Sequence, residues 1–179
     1  AGYDDIAYKL INNRSMPSWG YSIDQGATTI WERWDGYVAG RGFQDPGMNS
    51  LNHWAIGAVG EWMYKTILGI TPDAPGFKHI NIRPVPGGGL AWAKGHYDSI
   101  RGRIAVDWKM ADGVFTLNVT IPPNTTATVV LPEGAAKEIR EGDKPIAEVA
   151  GIQPTKTERL GVQAFTIGST ASPVWVPMR

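Results

Sequence analysis

In RIAVDWKMADGVFTLNVTI, residues 103–121, apolar side chains return at every second position. Ile104, Val106 and Trp108 share one face, and Arg103, Ala105 and Asp107 share the other. After the turn signal ADG at 111–113, Phe115, Leu117, Val119 and Ile121 alternate with Thr116, Asn118 and Thr120. A period of two marks a half-buried strand, because successive side chains leave a strand on opposite faces. TATVVLP at 126–132 and QAFTIG at 163–168 continue the pattern, and IPPN at 121–124 and PEG at 132–134 punctuate it. Short strands with regular turns and no helix between them predict an antiparallel β-sandwich of about 100 residues.

Upstream of TPDAPGFKH, residues 71–79, the period is helical. Tyr3, Ile6, Ala7, Leu10 and Ile11 predict a helix over 2–13. A second helix is predicted from Ser50 to Leu68, SLNHWAIGAVGEWMYKTIL, with Ser50 as N-cap and Gly69 as its stop. Residues 14–49 are rich in Gly, Pro, Ser and aromatic side chains and show no regular period. A stretch of that kind inside a compact domain is usually functional. The chain therefore reads as α+β, with a helical portion over 1–75 and a sandwich over 76–179 that folds alone. AGYDDIAYKLINN at the start lacks the basic and apolar regions of a signal peptide. It reads as the interior of a helical domain, so a fragment is expected, and the compartment stays open.

Composition narrows the chemistry. Lys plus Arg and Asp plus Glu are 17 each, so the net charge is zero, which disfavours a nucleic-acid or anionic-membrane partner. No run of about 18 apolar residues is present to span a membrane. The absence of Cys excludes disulfides and thiolate metal sites. His53, His79 and His96 lack a metal-ligand spacing, and the GGG at 87–89 leads into a strand-like LAWAKG rather than a helix. No metal and no cofactor is expected. Eight tryptophans fit either large cores or sugar-stacking surfaces. Trp108 and Trp92 are expected in the core, the latter because it lies between alanines.

The densest candidate is TTIWERWDGY, residues 28–37. Thr29 and Glu32 fit a helix capping box, in which Glu32 would reach back to a backbone N–H. The same Glu32, among indoles, fits a carboxylate acting on a sugar, where a drier site tunes its basicity. If IWERW is extended, Glu32 and Trp34 point one way and Trp31 and Arg33 the other. His53, near the start of the predicted second helix, is either a satisfied structural histidine or a cavity residue.

GATTIWERWDG, MNSLNHWAIGAVGEWMYKTILGI and RPVPGGGL, in that order, resemble bacterial α-L-rhamnosidases of the inverting glycoside hydrolase type, over roughly residues 1–135. The resemblance implies the last helices of an (α/α)6 barrel followed by a C-terminal β-sandwich. It implies that Glu32 is the general base, that His53 lines the rhamnose subsite, and that the partner is a rhamnose-containing glycoside or polysaccharide. The family's general acid lies in an acidic motif that nothing here matches. The chain by itself is therefore expected to be inactive, with its helical part either poorly stable or held by self-association. A different class remains open: a non-catalytic carbohydrate-binding or accessory sandwich.

Overall fold

The computed structural model describes residues 2–134, 139–156 and 162–169, and the backbone alone of 173–177. Contacts divide the chain into two compact units. One comprises residues up to Trp62 together with Gly87–Gly89. The other comprises Met63–Pro86 and everything from Leu90 onward.

The first unit opens with α1, Asp4–Asn12. Asp4 and Asp5 in its first turn and Lys9 in its last oppose the helix dipole favourably. Tyr8 is the residue it buries, at 2% exposure, edge-on to Trp62 with ring centroids 5.1 Å apart. Burial, with the Asp4 carboxylate adding to it, pushes the Tyr8 hydroxyl up to about 12. The apolar stripe read from the sequence behaves differently: Tyr3, Ile6 and Leu10 are exposed among the described residues. Tyr8 instead receives Gly87 and Gly88. A Cβ on either would come within 2.6 Å or 2.5 Å of the ring, and Asn12 Nδ2 donates to Gly88 O at 2.7 Å. Gly87 and Gly88 serve a close backbone approach to an aromatic face.

A second helix, α2, runs over Trp19–Asp24 inside the stretch expected to be irregular. The buried Ser18 hydroxyl caps it by accepting from Tyr21 N at 2.9 Å. Next comes a small hairpin, β1 Tyr37–Val38 and β2 Gly42–Phe43. The long helix expected over Ser50–Leu68 forms only from Ala55 to Ile67, and not as one regular α-helix. Helical backbone begins at Ala55 and passes from a 3-10 turn, Ala55–Ala58, through one α turn, α3 Val59–Trp62, to a π turn, Met63–Ile67. Ser50 is no N-cap: its hydroxyl accepts from Asn52 N at 3.2 Å and donates to Asn52 O at 3.1 Å. Such local side-chain bonds compete with helix.

The second unit is the sandwich. Its strands are β3 Ile70–Pro72, β4 His79–Ile82, β5 Trp92–Ser99, β6 Gly102–Ala111, β7 Val114–Thr120, β8 Thr126–Val130, β9 Arg140–Glu141, β10 Lys144–Pro145, β11 Ile152–Thr155, β12 Ala164–Ile167 and β13 Pro173–Pro177. One sheet has the order β10-β9-β13-β7-β6-β5, the other β11-β12-β8-β4-β3. Among the described residues every pairing is antiparallel except β4 with β8. That pair is parallel because the chain crosses to the other sheet for β5, β6 and β7 before returning. The β6–β7 hairpin closes on Asp112 and Gly113, both at positive φ, the two-residue turn that Asp-Gly favours.

The core holds the inward faces expected from the alternation: Ile104, Val106, Trp108, Phe115, Leu117 and Val119, all at most 4% exposed. Residues before 76 belong to it as well. Ile70 lies in the same core on β3, which pairs with β4. Leu68 packs so closely against Gly95 that a Cβ there would sit 2.5 Å from its Cδ1. The Trp108 indole N–H donates to Ile67 O at 2.7 Å. The sandwich therefore begins some ten residues earlier than the change of period at 75 indicates, and a piece starting at 76 would lack β3 and the partner of Trp108. Trp92 also departs from expectation: it is 63% exposed, on the face of β5 away from the core.

Candidate active site

Two segments of the first unit lie side by side and build the site. Glu32 N donates to Ser50 O at 2.8 Å, and His53 N donates to Ile30 O at 2.8 Å. The Thr29 hydroxyl donates to Leu51 O. These bonds carry Glu32 and His53 on neighbouring stretches of backbone although 21 positions separate them in the chain. The buried Trp31, at 6% exposure, anchors the first segment. Gly36 leaves room for it, since a Cβ there would approach Trp31 Cε3 to 3.3 Å and Asn49 Oδ1 to 3.0 Å. Asn49 Nδ2 in turn donates to Gly36 O at 2.9 Å, closing the loop between the two segments.

The capping-box reading of Thr29 and Glu32 is overturned. No helix starts there; residues 28–36 are bends and turns. The Glu32 carboxylate instead accepts from Ser50 N at 2.8 Å through Oε2, so that backbone and side chain of one residue both clasp Ser50. Glu32 is half-buried, and among the described residues its other oxygen, Oε1, has no protein donor.

His53 is likewise half-buried. Its Nδ1 accepts from Ala55 N at 3.2 Å, satisfying the first donor of the 3-10 turn. That bond assigns the ring proton to Nε2 in the neutral form, so Nε2–H is the edge left to donate. The ring stacks on Trp54, with centroids 5.9 Å apart and planes at 17°, and Trp54 is 83% exposed. The structural and functional readings of this histidine use different nitrogens and are compatible.

Around them the aromatic residues divide by role. Trp34 meets Trp19 edge-on at 5.1 Å, and Trp19 Nε1 donates to Ile56 O at 3.2 Å. These two, with Ile23, Thr28, Ile30 and Arg33, help line a pocket of about 230 Å³ that neither Glu32 nor His53 reaches. Arg33 grips Asp35 with two bonds, Nε to Oδ1 at 3.0 Å and a terminal nitrogen to Oδ2 at 2.9 Å. Hydrogen bonding to Arg33 holds the Asp35 carboxyl below the usual carboxylate range. Asp35 is therefore ionised at neutral pH and unsuited to donate a proton. Arg14 is taken up by Asp24 in the same manner. With two of the loop's three arginines neutralised, little cationic surface remains for phosphate. Among the described residues no cluster of three metal-ligating side chains occurs, and no helix is long and apolar enough to cross a membrane.

A helical unit that presents a clasped carboxylate, followed by a two-sheet sandwich, is the architecture of the C-terminal end of a six-hairpin glycosidase. Residues 1–67 match the bacterial alpha-L-rhamnosidase 6 hairpin glycosidase domain, and residues 69–145 match the bacterial alpha-L-rhamnosidase C-terminal domain. The chain belongs to the bacterial α-L-rhamnosidase family. An α-L-rhamnosidase of Streptomyces avermitilis is 49% identical over 131 residues, covering 73% of this chain and 13% of the relative. One from Formosa agariphila is 41% identical over 162 residues, covering 90% of this chain and 18% of the relative. The crystal structure of the Streptomyces avermitilis enzyme complexed with L-rhamnose superposes on 98% of the chain with a TM-score of 0.86 and 39% identity, using 16% of that structure. The chain thus spans less than a fifth of the length of these relatives.

Proposed function

We propose that these residues are the C-terminal part of an inverting α-L-rhamnosidase, in which Glu32 is the general base and His53 donates from Nε2 to a rhamnose hydroxyl. The observation that carries the reading is the clasp on Glu32: one carboxylate oxygen is fixed by Ser50 N–H while Oε1 has no protein donor among the described residues. A base must be oriented and must keep a lone pair for the water it activates. Inversion requires a second carboxyl about 6.5–9.5 Å from the base, in its protonated form. Asp35 is held ionised by Arg33 and does not suit that role; the family resemblance puts the acid in an earlier part of the barrel. The substrate class is a terminal α-L-rhamnoside, in keeping with the L-rhamnose bound by the Streptomyces avermitilis relative. The exposed Tyr3, Ile6 and Leu10 of α1 are the surface that earlier barrel helices cover; without them the helical part is either poorly stable or held by self-association.

The test is to follow hydrolysis of an aryl α-L-rhamnoside by NMR, with a complete enzyme carrying this segment and with the 179-residue chain alone. The complete enzyme is expected to release the β-anomer first, and the chain alone is expected to be inactive. Retention of configuration, or turnover by the chain alone, would refute the assignment. For His53, replacement by Ala in the complete enzyme should weaken rhamnose binding by about 1–3 kcal/mol, the cost of one polar contact in a buried site. Calorimetry showing unchanged affinity would leave His53 only its cap on Ala55.

A further inference from the structure

Trp92 stands out on the outer face of the six-stranded sheet. The inward neighbours on β5 are small: Ala93 packs against the core, and Leu68 fills the space beneath Gly95. The outward positions carry Trp92, Lys94, His96 and Asp98, and Trp92 is 63% exposed while Trp108 on the adjacent strand is fully buried. Register places Lys109 and then Thr116 beside Trp92 in one cross-strand row, and Lys94, Asp107 and Asn118 in the next. Lys94 Nζ and Asp107 Oδ2 pair at 3.1 Å, and Arg103 Nε pairs with Asp98 at 2.7 Å. Among the described residues Lys109 has no carboxylate partner.

A bare indole is informative where a scattered leucine is not, since it exposes a broad apolar face together with a polar edge. A protein-docking face surrounds such an anchor with further apolar or aromatic area. Here the neighbouring positions in register carry ammonium, carboxylate, amide and hydroxyl groups. That combination suits a ligand whose rings have one apolar face and a rim of hydroxyls. Three cations, Lys94, Lys109 and Arg103, stand against two carboxylates, Asp98 and Asp107, so the face carries one uncompensated positive charge, next to the indole.

We propose that this face is a carbohydrate-binding surface, separate from the Glu32 loop, that takes an acidic polysaccharide. One sugar ring stacks on Trp92, and a carboxylate of the same or the next sugar meets Lys109. Such a surface would hold a polymer on the enzyme between cleavage events without taking part in them.

The test uses the 179-residue chain, immobilised polygalacturonate and, as the neutral counterpart, immobilised dextran, with biolayer interferometry at physiological ionic strength. The chain has no net charge, so retention on a polyanion is not expected from bulk electrostatics. Polygalacturonate should bind more tightly than dextran. Trp92→Ala should lose about tenfold in affinity, the scale of one aromatic contact, with its melting temperature unchanged because the side chain is exposed. Lys109→Gln should abolish the preference for polygalacturonate over dextran. The proposal is overturned if polygalacturonate does not bind, if Trp92→Ala binds as the parent does, or if the preference survives Lys109→Gln. None of these measurements involves turnover, so their failure leaves the Glu32 assignment standing.

Discussion

Replacing Glu32 by Gln in a complete enzyme carrying this segment is expected to lower kcat on an aryl α-L-rhamnoside by about 10²–10⁴-fold, the usual worth of a general base. The substitution isolates the chemistry because of the clasp. Ser50 N–H donates to Glu32 Oε2 at 2.8 Å, and an amide oxygen can accept that bond equally well. Glu32 N–H still donates to Ser50 O, so the two segments stay paired. What changes is the other arm, where Oε1 becomes an NH₂ group that cannot take a proton from water. Loss of turnover with little change in the melting temperature would identify the base. Near-normal turnover would show Glu32 to be only a clasp, and a large drop in melting temperature would point the same way.

The largest stability effect is expected at Trp108. The indole is fully buried, lies 6.0 Å from the Phe115 ring, and donates to Ile67 O at 2.7 Å. Truncating a buried Trp to Ala typically costs about 3–5 kcal/mol, partly for the cavity left behind. Here the change also strips the carbonyl of Ile67 of its partner, which adds about 1–3 kcal/mol if no water replaces it. Set against a domain stability of about 5–15 kcal/mol, Trp108→Ala brings the sandwich close to unfolding. Trp108→Phe should keep most of the packing and lose chiefly the hydrogen bond. Urea titrations read by circular dichroism separate the two, and a midpoint for Trp108→Ala near that of the parent would contradict this account.

The sandwich was legible because β6 and β7 each bury one face completely, which imposes a strict period of two. Asp112-Gly113 was readable for the same kind of reason: few dipeptides accept two positive φ angles. What stayed hidden depended on distant partners. SLNHW looks like a helix start, yet Ser50 O and His53 N are taken by Glu32 and Ile30, and the Ser50 and His53 side chains bond the backbone N–H of Asn52 and Ala55. Tertiary pairing there outweighs the local preference for helix. The six residues of α2 are too few to show a period, though Ser18 was an available cap signal. Trp92 was misread because its alanine neighbours suggested crowding around the indole. The indole instead leaves β5 on the face away from the core and is 63% exposed. Within the candidate site, both residue types and their order were readable from the family motif. The Ser50 clasp was not, since it joins residues 18 positions apart.

The glycines at 87–89 bear on how such a protein could be recombined. They lie in the chain after β3 and β4, yet they belong with the helical unit, where Gly87 and Gly88 sit against the ring of Tyr8. The polypeptide therefore passes between the units three times: after Trp62, after Pro86 and after Gly89. A gene fusion that joined a foreign sandwich at any single point before residue 86 would replace this triplet along with the strands. The graft would have to restore two residues without side chains at the positions of Gly87 and Gly88, or Tyr8 would meet a Cβ. Shuffling of the sandwich as an independent cassette is thus penalised by a short stretch outside both the barrel helices and the sheets. Grafts that retain a Gly-Gly pair against the tyrosine are the ones expected to yield folded protein.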